Sequence, residues 1–134
     1  MKIIAISLYI LSGLLFFYSL TQPVFLFSDH EPIEGLHVLF WGWWGMILGH
    51  PGWLANWLYS ATITMNLLGK RKIAIILGLI AVAFSLDGFR VTEWYFNEGN
   101  STPIKDLGVG YSYWLAAIGV GAFSTLFSTN QFID

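Results

Sequence analysis

Residues 35–72 read GLHVLFWGWWGMILGHPGWLANWLYSATITMNLLGKRK. From Leu36 to Leu68 there are 33 residues without one charged side chain, and then the run Lys70-Arg71-Lys72. As a single helix the stretch would be about 50 Å long, too long for one straight passage through a hydrocarbon layer of about 30 Å and short for two. Gly49-His50-Pro51-Gly52 supplies the break, because Pro51 has no N–H to donate and the flanking glycines weaken helix further. The stretch is therefore predicted as a piece of about 13 residues joined to one of about 17.

The rest of the chain supports a membrane setting. Of 134 residues, 56% are hydrophobic and 10% charged, where a soluble domain carries about 25% charged residues. Ile3–Leu20 is an unbroken apolar run behind Lys2. A cleaved signal peptide is the rival reading, but the run exceeds the usual apolar region of roughly 7–15 residues and no Ala-x-Ala follows. Pro23 marks its end, and Ser28-Asp29-His30-Glu31-Pro32 reads as a short acidic loop. Ile73–Phe89 and Leu107–Phe127 are two further apolar spans, joined by a turn-rich loop around residues 97–103. With no Cys, disulfides and thiolate chemistry are excluded.

Charge sets the threading. The positive-inside rule places Lys2 and Lys70-Arg71-Lys72 on one side, which demands an even number of crossings between them. One crossing precedes Pro23, so the tryptophan-rich middle makes only one passage. Its first half is then an interfacial or re-entrant half-helix, or part of one kinked helix; Trp41, Trp43, Trp44, Trp53 and Trp57 suit the headgroup level. The expectation is a single all-α transmembrane domain over residues 1–134, an integral membrane four-helix bundle with a discontinuous second helix. Its crossings run about 3–22, 36–69 broken near 49–52, 73–90 and 107–127, with both termini cytoplasmic. On this threading Asp29, Glu31, Glu34, Asp87, Glu93, Glu98 and Asp106 face outward against Arg90 and Lys105.

Few polar groups could carry chemistry. His37 and His50 stand 13 positions apart, about 20 Å along one helix face, a spacing two stacked haems could use, so they are the candidate cofactor ligands. No second His-bearing crossing exists to complete such a site, and hydrogen-bonded interfacial histidines are the plainer reading; no cofactor is expected. Asp29, His30, Glu31, Glu34 and His37 lack a metal-ligand spacing and read as a solvated acidic loop, so no metal is expected either. Asp87 and Arg90 are spaced for an i, i+3 ion pair that pins a helix end. Asn56, Ser60 and Thr64 recur every four residues, a polar stripe expected to turn inward as interhelical glue or as a solute path. No catalytic triad, phosphate-binding Gly loop or nucleic-acid patch can be assembled, and no catalytic residue is expected.

Gly42-Trp43, Trp53-Leu54-Ala55-Asn56, the basic turn, Gly108-x-Gly110-Tyr111 and Trp114-Leu115 together resemble a pattern in small multi-pass bacterial inner-membrane proteins without an assigned activity. Trp57 stands where such proteins carry a Pro. The resemblance implies a bacterial inner membrane and four passes, and supplies no substrate.

The functional expectation is a non-enzymatic membrane protein, a structural or accessory subunit or a homo-oligomer, because so many Trp and Phe exceed what a small bundle can cover. Its partners would be the bilayer and another membrane chain or a second copy, not nucleic acid. The alternatives are a small-solute or ion transporter built around the broken helix and a haem- or pigment-binding subunit.

Overall fold

The apolar spans fold into four helices that pack together: α1 (Lys2–Ser19), α4 (Ala55–Leu67), α5 (Arg71–Ser85) and α6 (Val109–Ser124). The computed structural model describes residues 2–96 and 100–128. Two shorter helices, α2 (Gly35–Trp41) and α3 (Trp44–Ile47), precede α4, and 3-10 turns cover Pro51–Leu54 and Leu86–Arg90.

Lys2–Ser19 and Arg71–Arg90, at 18 and 20 residues, are long and apolar enough to cross a membrane. The other two are too short, and α4 is also less apolar. The 13-residue α4 and the 16-residue α6 rise about 20 and 24 Å. The expectation of four full-length crossings is thus met in helical character by all four helices and in span by two.

Their packing is inverted relative to a water-soluble bundle. Facing inward are Ala5, Ser12 and Ser19 of α1, Ala74, Gly78, Ala81 and Ser85 of α5, and Gly110, Ala117, Gly121 and Ser124 of α6 beside its larger Tyr111 and Ile118. Facing outward are Ile3, Phe17 and Leu79, which are 80%, 70% and 66% exposed. Small inward residues let backbones approach closely and leave bulky apolar groups outside, the arrangement that lipid tolerates and water does not.

Hydrogen bonds order the helices end to end. Ser12 Oγ donates to Ala117 O at 2.7 Å and the Tyr18 ring meets Tyr113, so α1 and α6 run antiparallel. At the foot of the bundle Arg71 caps α6, donating from Nε to Thr125 O (3.1 Å) and from Nη2 to Leu126 O (2.6 Å). The turn between α4 and α5 is closed by Gly69 at φ +74°, with Lys70 N–H on Met65 O and Gly69 N–H on Asn66 O, a glycine helix stop. The start of α1, the basic turn and the end of α6 therefore lie at one end.

At the other end sits a small β layer that the sequence reading treated as loop. β1 (Pro23–Leu26) pairs antiparallel with β2 (Ile33–Glu34) and β5 (Asp106–Leu107), and β3 (Glu93–Tyr95) pairs with β4 (Ser101–Pro103). Pro23 does more than stop a helix: it is the first residue of the central strand β1, a place in a sheet that proline tolerates, and Val24 and Phe25 of that strand join Phe27, Ile33 and Tyr111 in a compact core. α1 ends at Ser19, three residues earlier than expected.

Candidate functional site

The break in the central stretch is built by backbone chemistry at four consecutive residues. Helix α3 ends on Gly49 at φ +86°; Gly49 N–H reaches Met46 O and His50 N–H reaches Gly45 O at 2.8 Å. That pairing is a Schellman stop, and a left-handed residue is what it requires. His50, restricted by the following proline, is extended at φ −112°, and Pro51 opens the 3-10 turn that leads into α4. A second break at Gly42-Trp43, not expected from sequence, separates α2 from α3. The resulting α2–α3 arm folds back beside the bundle. It is held at its start by Gly35 N–H on Gln22 O (3.0 Å), and near its middle by Trp53 Nε1 donating to Leu39 O (2.8 Å).

Asp87 ties the break to the end of α5. Its Oδ2 accepts from Gly52 N–H at 3.3 Å, at the start of a helical segment where a carboxylate is favoured. Arg90 Nε lies 3.3 Å from Oδ1, so the structure brings Asp87 and Arg90 together on one 3-10 turn. His50 Nδ1 lies 3.5 Å from Oδ2 yet is buried without a hydrogen bond. The separation permits charge attraction, but the alignment does not make a hydrogen bond.

Between the arm, the break, the β layer and the first turns of α6 lies a chamber of about 870 Å³. Its walls include His37 from α2, His50 from the break, Asn56 from α4, Asp87, Trp94 from β3, and Tyr111 and Trp114 from α6. Five of the seven Trp, namely Trp41, Trp44, Trp53, Trp94 and Trp114, line it. Most of its polar groups are already engaged. Asn56 donates from Nδ2 to Trp53 O (3.0 Å) and accepts Trp114 Nε1–H on Oδ1 (2.8 Å), and Tyr111 O–H donates to Ser85 O (2.6 Å). Trp94 Nε1 is not: it is buried and has no partner, as is His50 Nδ1. Buried donors of this kind are rare and mark places where a bound molecule or water completes the set.

His37 and His50 thus line one chamber, but from separate segments and not from the continuous helix that a stacked-haem spacing would need. Of the expected polar stripe only Asn56 lines the chamber. Ser60 and Thr64 are a correction: both are exposed, their hydroxyls donating back to Asn56 O (3.0 Å) and Ser60 O (2.9 Å) on their own helix. A hydroxyl satisfied four residues back has no need to turn inward. The inward face of α4 is instead Ala55, Tyr59, Thr62 and Asn66. Tyr59 O–H meets Ser12 Oγ at 2.7 Å, and Ser128 Oγ donates to Asn66 Oδ1 at 2.6 Å. In the acidic loop His30 stacks on Phe96, and among the described residues no three His, Asp or Glu gather to hold a metal ion. Glu98 lies outside the described residues.

In comparison with known proteins, no family model, no curated protein and no solved structure matches this chain.

Proposed function

We propose that this chain is an integral membrane protein of four crossings that holds an amphipathic small molecule in the chamber beneath the α2–α3 arm, without transforming it. The crossings are α1, the Pro51–Leu54 turn continued by α4, α5 with its 3-10 extension, and α6. The inverted packing supports this, as small residues inside and Ile, Phe and Leu outside match a lipid surround. Lys2 and the basic turn at one end of the four helices support a cytoplasmic placement of that end, which puts the chamber at the outer boundary. The arm, with Leu36, Phe40, Trp43 and Met46 exposed and outside the chamber lining, then lies at headgroup level.

The observation that carries the reading is the chamber itself. Its size falls within the roughly 300–1,000 Å³ of small-molecule sites, and it is mostly apolar with a few convergent polar groups and two unpartnered buried nitrogens. Of the aromatic surplus that suggests a packing subunit from composition, five of the seven Trp but only two of the eleven Phe are on its walls. Gly45 lines the chamber, and a Cβ there meets His50 at an ordinary 3.5 Å, so Gly45→Leu is the variant chosen to fill space at this wall. Native mass spectrometry of the gently purified protein is expected to find a small-molecule adduct that Gly45→Leu loses. A wild-type chain free of adduct, whose Trp emission also ignores added amphiphiles, would end this reading.

One observation favours self-association beside it. Trp57 is 65% exposed on the outward face of α4, which also carries the Ser60 and Thr64 hydroxyls at four-residue spacing. In lipid such a face offers a second helix an indole and two hydroxyls as contacts. The chain has no Cys, so Ser60→Cys offers a clean test: disulfide-linked dimers in the membrane support the contact, and a Ser60→Cys chain that stays monomeric under oxidant speaks against it.

A further inference from the structure

Resting on that reading, we propose that the chamber selects lipophilic organic cations over neutral and anionic molecules of the same size. Among the described residues lining it, the acids are Asp87 and Glu93, and no Lys or Arg is present. The nearest guanidinium, Arg90, meets Asp87 Oδ1 with a side chain 68% exposed, whereas the Asp87 side chain is 7% exposed. Water screens the Arg90 charge far more than it screens the carboxylate. Oδ2 is the oxygen turned toward Gly52 and His50, both of which line the chamber. The interior therefore carries a negative field from one buried carboxylate.

The walls reinforce that sign. Trp41, Trp44, Trp53, Trp94, Trp114 and Tyr95 bring aromatic rings to the same space, and the negative faces of such rings attract ammonium and phosphonium groups and repel anions. An apolar body satisfies the rings by contact, and a delocalised or shielded positive charge loses little hydration on entering. A small, strongly hydrated ion such as sodium gains nothing from these walls, because the only oxygens of Asp87 are already met by Gly52 N–H and Arg90. The class is thus quaternary or aromatic cations with bulky apolar substituents.

The test uses three probes of one shape family: tetraphenylphosphonium, triphenylmethanol and tetraphenylborate. Each is equilibrated at pH 8, where imidazole is ordinarily neutral, with the full chain in zwitterionic nanodiscs, and binding to empty nanodiscs is subtracted. The phosphonium is expected to bind about 10-fold tighter than the alcohol, and the borate no better than to empty discs. Asp87→Asn should bring the ratio of phosphonium to alcohol binding, measured within that variant, close to one. Glu93→Gln, at an exposed position, should weaken it less, and keeps the test alive if Asp87→Asn fails to fold. Equal binding of all three probes, lost together in Gly45→Leu, overturns the charge selection and leaves the chamber standing. No protein-dependent binding of any probe overturns the chamber as well.

Discussion

Gly121 and Gly119 lie two residues apart on α6, and their replacement by Ala should have opposite effects. A Cβ at Gly121 would stand 2.7 Å from Tyr59 Cε2 and 3.0 Å from Ser12 Oγ, whereas a Cβ at Gly119 meets nothing within 4 Å. Tyr59 cannot simply step back. Its ring stacks on Phe16 at 5.2 Å, and its O–H donates to Ser12 Oγ, whose own proton goes to Ala117 O. Overpacking of this kind costs about 1–3 kcal/mol, and an interhelical hydrogen bond in a membrane protein is worth about 0.6. Against this, Gly→Ala inside a helix gains up to about 1 kcal/mol. Gly121→Ala should therefore lose about 1–2 kcal/mol and Gly119→Ala lose nothing or gain, a gap of about 2 kcal/mol, close to 30-fold in the folding equilibrium. Equilibrium unfolding by SDS titration of maltoside micelles, followed by circular dichroism, reads that gap directly. In a Tyr59→Leu background the penalty at Gly121 should shrink. Equal stability of the two alanine variants would refute the close three-helix junction of α1, α4 and α6.

Three further outcomes are expected. Gly49→Ala and Gly69→Ala each force a side chain into left-handed backbone, at φ +86° and +74°, and should each cost about 1–2 kcal/mol in the same titration. Asn56→Leu removes the acceptor for Trp114 Nε1–H and the donor to Trp53 O; it should cost about 1–3 kcal/mol, partly recovered by adding Trp114→Phe, and no recovery would show that the pair is not coupled. Reporter tags at residue 2 and in the 69–71 turn should map to the same compartment by protease protection, because both points lie at one end of the four helices; tags on opposite sides would overturn the threading.

The central break was legible because its causes are local. Gly49, Pro51 and Gly52 carry their backbone preferences wherever they stand, and together those preferences disfavour a straight continuous helix. The Asp87–Arg90 approach was equally readable, as one helical turn brings residues three apart together. The small inward residues of α5 were also readable, since Ala74, Gly78 and Ala81 fall on neighbouring turns. The strands were not. β1 and β5 are four and two residues long and lie about 80 positions apart in sequence, so neither has a periodicity of its own.

The polar stripe shows where composition misleads. Asn56, Ser60 and Thr64 share a helix face by spacing, and only the packed structure decides that two of them satisfy themselves on their own backbone while Thr62 and Asn66 turn inward. Sequence by itself determined the apolar composition, the helical character of the long runs and the stop at Gly49–Gly52, because each follows from a property of single residues or near neighbours. Tertiary structure alone decided the chamber. Its walls come from residues as far apart as His37, Asp87 and Trp114, and a cavity is a relation among distant segments that no one segment encodes.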